Sequence, residues 1–321
     1  MNNLANLKIV APVRSKFMLE EMIEAGANEV FVGVRNTIFQ QLSFDNRFQT
    51  VAEFPAHLEN WSDLEEIVSI AKSKNLKVIF MANTPYIPKE LEESYIAHVL
   101  KAVERGVDSV TISSFQSLKL LKDNQINVEI ISGSALAPTN MYGAMFLKDL
   151  GVTRITVLNS MSIEEIKKLK ELGLELMITG NFGTGSIPAS CRLWESPNNK
   201  EIGEGVRSLY RVYSPEGVNY KTLNILDKAT DCSLCNLEDL VAAGITSIKF
   251  IGREAPNPVT LATVVDLFRQ WKELGLEEMT IEMKKKVMEQ EHLMWIMKWL
   301  PRFCEKCRCT YLATPITKTY I

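Results

Sequence analysis

Basic residues are not in excess in this chain. Lys and Arg total 36 against 39 Asp and Glu, a formal net charge of −3 with histidine neutral. No basic surface is advertised for nucleic acid, which leaves only a local groove open to it. Histidine is scarce, with His57, His98 and His292 alone. Serine and cysteine hydrolases need an imidazole base beside the nucleophile, and neither a GxSxG elbow nor an HExxH helix is present. Each histidine therefore reads as a structural or surface residue, and a hydrolytic triad is poorly supported. No apolar run approaches the roughly 18–20 residues that span a bilayer. The opening MNNLANLKIVAP lacks a charged head followed by a long apolar core, so no signal peptide is expected. These absences predict a soluble, cytoplasmic protein without a membrane span. In that reducing compartment the six cysteines read as free thiols or metal ligands rather than disulfides.

What is present is a recurring unit: a helix, a glycine, then a short apolar strand. It appears as EAGANEVFVGV (24–34), ERGVDSVTIS (104–113), DLGVTRITVL (149–158), ELGLELMITG (171–180) and AAGITSIKFIG (242–252). Glycine there suits a left-handed helix C-cap, and the apolar run is the length of a strand buried on both faces. The pattern predicts strands near 7–11, 28–33, 76–82, 107–112, 126–132, 153–158, 174–179 and 246–251. Helices are expected near 16–25, 63–74, 88–105, 114–123, 138–150, 162–172, 236–243 and 257–274. Eight β/α units are what closes a TIM-type (β/α)8 barrel. An open doubly wound sheet is the alternative, but no dinucleotide fingerprint follows the first strand.

In such barrels function gathers at the C-terminal strand ends. The residues there are Arg14, Arg35, Asn83, Ser113, Ser114, Ser134, Asn159, Asn181 and Arg253. Arg35, Asn83, Asn159 and Arg253 are the expected substrate-binding residues. Two connections are long, 35–61 and 181–231, and in the second RSLYRVY-SPEG-VNYKTLNIL reads as a β-hairpin turning at Ser214–Gly217. The expected division is a barrel over 1–275, including the inserted lobe 181–231, and a C-terminal helix and cysteine-rich tail over 276–321. In the tail Met283, Val287, Met294 and Met297 recur at helical spacing. That face packs on its own barrel or, given Trp295 and Trp299, meets a partner.

The cysteines fall in two groups. Cys191, Cys232 and Cys235 lie between 180 and 253; Cys304, Cys307 and Cys309 lie in CEKCRC. Thiolates bind soft metals, and two CxxC pairs suggest a four-sulfur site. A [4Fe-4S] cluster on Cys191, Cys232, Cys235 and one of Cys304 or Cys307 is the first expectation. Zinc is the alternative, and buried inert thiols are the third reading. GNFGTGS (180–186) follows a strand and could cradle phosphate, but it lacks the GK[ST] ending of a P-loop.

Several stretches resemble the U32 family, named as collagenase-like peptidases. IVAPVRSKFMLEEMIEAGANEVFVGV resembles the family's opening, and Gly180–Cys191 resembles its glycine–cysteine signature. Asp231–Arg253 resembles its Asp-x-Cys and Ala-Gly-Val-x-Ser-x-Lys-Ile-x-Gly-Arg block, with PVTLATVVDLFRQW as the helix that follows. The likeness covers about 7–275. It implies a barrel and, in members implicated in oxygen-independent hydroxylation of ubiquinone precursors or RNA bases, a [4Fe-4S] cluster on four cysteines. By position Cys191 and Cys232 match two of these. The other two positions fall near Gly183 and Val206, where this chain has no cysteine, while Cys235 and the tail group are extra. The resemblance implies an iron–sulfur hydroxylase or related redox enzyme acting on a small or peptide-like substrate. The alternatives are a peptidase, or a non-catalytic subunit of a homo- or hetero-oligomer with a related U32-like protein.

Overall fold

The computed structural model describes residues 3–36, 56–84, 86–158, 161–180, 209–213, 219–224, 237–253 and 257–274. Seven parallel strands appear first: β1 (Lys8–Pro12), β2 (Glu29–Val32), β3 (Lys77–Met81), β4 (Ser109–Ile112), β5 (Glu129–Ser132), β6 (Arg154–Thr156) and β7 (Glu175–Thr179). An antiparallel pair follows, β8 (Leu209–Tyr213) and β9 (Asn219–Asn224), and then β10 (Ser247–Lys249). The parallel strands close in the order β1-β10-β7-β6-β5-β4-β3-β2. The barrel is therefore of the (β/α)8 type, and the open-sheet alternative is removed.

Among the described residues eight helices follow the strands: α1 (Lys16–Glu24), α2 (Trp61–Ser73), α3 (Glu92–Glu104), α4 (Phe115–Asp123), α5 (Met141–Asp149), α6 (Ile163–Lys170), α7 (Leu237–Ala243) and α8 (Pro258–Leu274). Their starts are written in side chains. Ser15, Ser114 and Asn140 accept from backbone N–H groups of the first turns of α1, α4 and α5. Ser162 and Glu165 form a reciprocal capping box on α6. None of the helices described is long and apolar enough to cross a membrane.

Alternation along the strands splits the core in two. Outward residues such as Ile9, Val30, Phe80, Val110, Ile155, Leu176 and Ile248 join the large cluster under the helices. Inward residues Val10, Phe31, Ile79, Met81, Ile131 and Met177 form a separate cluster inside the barrel. Below that layer, at the strand starts, lies an ionic plug. Arg154 is buried, donates to both Glu29 carboxylate oxygens, and donates through Nε to Glu175 Oε2 at 2.6 Å. Lys8 Nζ reaches Glu175 Oε1 at 2.7 Å and Glu29 Oε1 at 3.6 Å. The plug fills the barrel at this end; the opposite end, where the strands finish, is the end at which (β/α)8 barrels carry their sites.

Candidate functional site

The mouth of the barrel sits on the apolar layer of Phe31, Met81 and Ile131, and two of its sides differ in chemistry. One side is cationic. Lys249, on the last strand, holds its ammonium 4.3 Å from the centre of the Phe31 ring. The Arg253 guanidinium carbon lies 5.4 Å from the same ring, and the residue is buried. Arg253 Nη1 donates to His57 Nδ1 at 3.3 Å; since a guanidinium can only donate, that imidazole nitrogen accepts. The long connection after β2 returns to make this contact, through a parallel bridge between Val34 and Leu58. Gly33 is what admits it. A Cβ there would stand 2.3 Å from His57 Nδ1 and 3.3 Å from Arg253 Nη1.

The other side is neutral and hydroxyl-rich. Met81 pairs with Thr111, and Thr111 with Ile131, so the next inward step brings Asn83, Ser113 and Gly133 side by side. The backbone around Asn83 is pinned. Tyr95 donates its hydroxyl to the Ala82 carbonyl at 3.1 Å. Ser114 and Ser117 donate to the Thr84 carbonyl at 3.3 and 3.2 Å. Burial pushes the Tyr95 phenol above its ordinary value, with a Ser117 hydrogen bond acting the other way, so it stays a neutral donor.

The sequence model of peptidase family U32 matches residues 15–295. The chain belongs to peptidase family U32. A solved structure titled as that of the U32 peptidase Mk0906 is 15% identical and covers 76% of this chain and 92% of its own, with a TM-score of 0.47. Thiamine phosphate pyrophosphorylase from Pyrococcus furiosus is 10% identical, covers 85% and 99%, and scores 0.45. Phosphoribosyl anthranilate isomerase from Thermus thermophilus is 10% identical, covers 84% and 100%, and scores 0.46. A search of curated proteins gives no match.

In this U32 chain the expected substrate-binding residues meet different fates. Asn83 and Arg253 stand at the mouth as expected. Arg35 stands at the rim, where its Nη1 pairs with Glu59 Oε2 at 3.0 Å. Asn159 lies outside the described residues, as do Asn181 and all six cysteines, Cys191, Cys232, Cys235, Cys304, Cys307 and Cys309. Ser114 is the N-cap of α4 and is spent on the helix and on Thr84. Ser134 is exposed, in a 3-10 turn. Gly180, the first residue of the glycine-rich GNFGTGS stretch, is a packing residue: a Cβ there would meet Ile248 at 2.8 Å and Phe250 at 3.2 Å. Phe31, His57, Thr111 and Lys249 were not signalled as site residues. His57 meets a partner 196 residues away, and the other three lie within strands that read as core.

Proposed function

We propose that this chain is an iron–sulfur enzyme of the U32 type, carrying out an oxygen-independent hydroxylation or a related redox step on a small or peptide-like substrate at the barrel mouth. The observation that carries the reading is where the cysteine-bearing segment joins the barrel. It departs after Gly180, at the mouth end of β7, and rejoins at Leu237, the start of α7. Cys191, Cys232 and Cys235 lie in that segment, and Cys304 and Cys307 follow α8. The donor set is thiolate, with two CxxC pairs, which suits a [4Fe-4S] cluster; zinc is the alternative occupant. Cys191, Cys232, Cys235 and one of Cys304 or Cys307 would hold it. When bound, such a cluster supplies one-electron transfer.

The remaining work falls to this chain's own side chains. Asn83 and Arg253, with Arg35 and Asn159, orient the substrate. Phe31 and Met81 give it a dry floor, which strengthens every polar contact above them. Arg253 occupies the accepting nitrogen of His57, so that nitrogen is not presented to a peptide substrate, which counts against the peptidase alternative. The Met- and Trp-rich tail supports pairing with a second, related barrel.

Anaerobically purified protein is expected to be brown, with a broad visible band, and Cys191→Ser or Cys232→Ser should each remove most of the iron. Peptide cleavage that survives serine at Cys191, Cys232 and Cys235 together would instead favour the peptidase.

A further inference from the structure

Among the described residues, three buried oxygens at the mouth have no hydrogen-bond partner: Asn83 Oδ1, Thr111 Oγ1 and Ser113 Oγ. Thr111 is 1% and Ser113 3% exposed. An unsatisfied buried polar atom keeps the full cost of its lost hydration, so three on two adjacent strands is a costly arrangement for a scaffold to keep. It is also not slack. Tyr95, Ser114 and Ser117 fix the backbone on both sides of Asn83. Gly133 leaves the neighbouring space open: a Cβ there would stand 3.0 Å from Thr111 Cγ2 and 3.2 Å from Asn83 Oδ1. A rigid frame thus sets an amide carbonyl and two hydroxyls on the inward side of two neighbouring strand ends, beside the bare Gly133.

We infer that Asn83, Thr111 and Ser113 form a subsite for a neutral hydrogen-bonding group of the ligand, an alcohol or a carboxamide. Asn83 Oδ1 can only accept, so the incoming group must donate. The two hydroxyls can each donate in return, which an alcohol oxygen or an amide carbonyl satisfies. A carboxylate offers no donor and would set its charge against Asn83 Oδ1. The subsite deepens the proposed function by naming the substrate's neutral polar end. It rests on substrate binding at the mouth, not on the iron–sulfur assignment.

The test uses two small probes of nearly equal shape that lack a hydroxyl, propionamide and propionate, on full-length methyl-labelled protein followed by NMR, with iron measured on the same sample. Ligands of about five non-hydrogen atoms bind in the micromolar-to-millimolar range, so titration to about 100 mM is adequate. Propionamide should give saturable shifts at Met81 and Ile131, with a Kd roughly tenfold or more below that of propionate. Thr111→Val and Ser113→Ala should each weaken propionamide roughly fivefold to tenfold while leaving the remaining methyl spectrum intact. Propionate binding as tightly as propionamide overturns the inference, and so does the absence of saturable shifts at these methyls with either probe. Iron content reads the cluster independently, so failure of one claim is distinguishable from failure of the other.

Discussion

Gly33 and His57 are coupled through space that only a missing side chain provides. Gly33→Ala puts a methyl group 2.3 Å from the imidazole, and overpacking of that kind costs about 1–3 kcal/mol. Urea denaturation of Gly33→Ala, His57→Ala and the double variant should show much of that cost relieved when the imidazole is also gone. Additive effects would mean that the contact is not what Gly33 serves. The positions of Asn83 and Arg253 at the mouth were readable from sequence because a polar residue directly after an apolar strand falls at the C-terminal end of a barrel strand. Thr111 was not. It sits inside VTIS, where period two says which way a side chain points but not whether anything awaits it. His57 was read as structural or surface, since nothing near it in the chain foretells Arg253.

Helix ends and strand starts carry most of the fold's local information. Gly26 and Gly151 adopt φ of +90° and +89° just past α1 and α5, as the repeated motif predicts. The same place past α2 and α4 is held by Asn75 and Gln125, at φ 58° and 52°. This is why the glycine motif recurs in some units and not in others. Asn tolerates the left-handed region, whereas Gln gains nothing there, so Gln125→Gly should raise stability by about 0.5–1 kcal/mol in thermal or denaturant unfolding. At the strand starts, Arg154→Met leaves the Glu29 carboxylate buried without its main partner and should cost about 3–5 kcal/mol. An apolar double variant, Glu29→Leu with Arg154→Met, should recover much of it. Glu175 gives the plug a pH signature. Burial works against its charged form, but the Lys8 hydrogen bond and the Arg154 and Lys8 charges outweigh this and hold the carboxyl below its ordinary 4.5. A lowered folded-state value contributes stability above the unfolded value that is lost as pH falls through the folded one. Glu175→Gln should therefore cost stability at neutral pH, with the gap to the wild type closing below about pH 4.5. A gap that is constant down to acid would contradict this.

Across the whole chain, closure into eight strands was readable because parallel strands in a barrel are buried on both faces and appear as unbroken apolar runs. Each predicted strand overlaps an observed one, and the ladder from β10 to β1 supplies the closure that periodicity alone could not. The antiparallel pair β8–β9 appears where the hairpin was read. The proposed metal centre would depend on thiols that are distant in sequence, which spacing can group but not bring together. The tail makes its own prediction: removal of residues beyond Gly275 should convert an oligomer to a smaller species in light scattering, and an unchanged monomer would remove the pairing proposal. The most direct test of the account is iron and acid-labile sulfide analysis with Mössbauer spectroscopy on the anaerobically purified full chain. About four irons and four sulfides per chain, with the signature of a [4Fe-4S] cluster, is the predicted result. Colourless protein that takes up no iron after anaerobic reconstitution would contradict it.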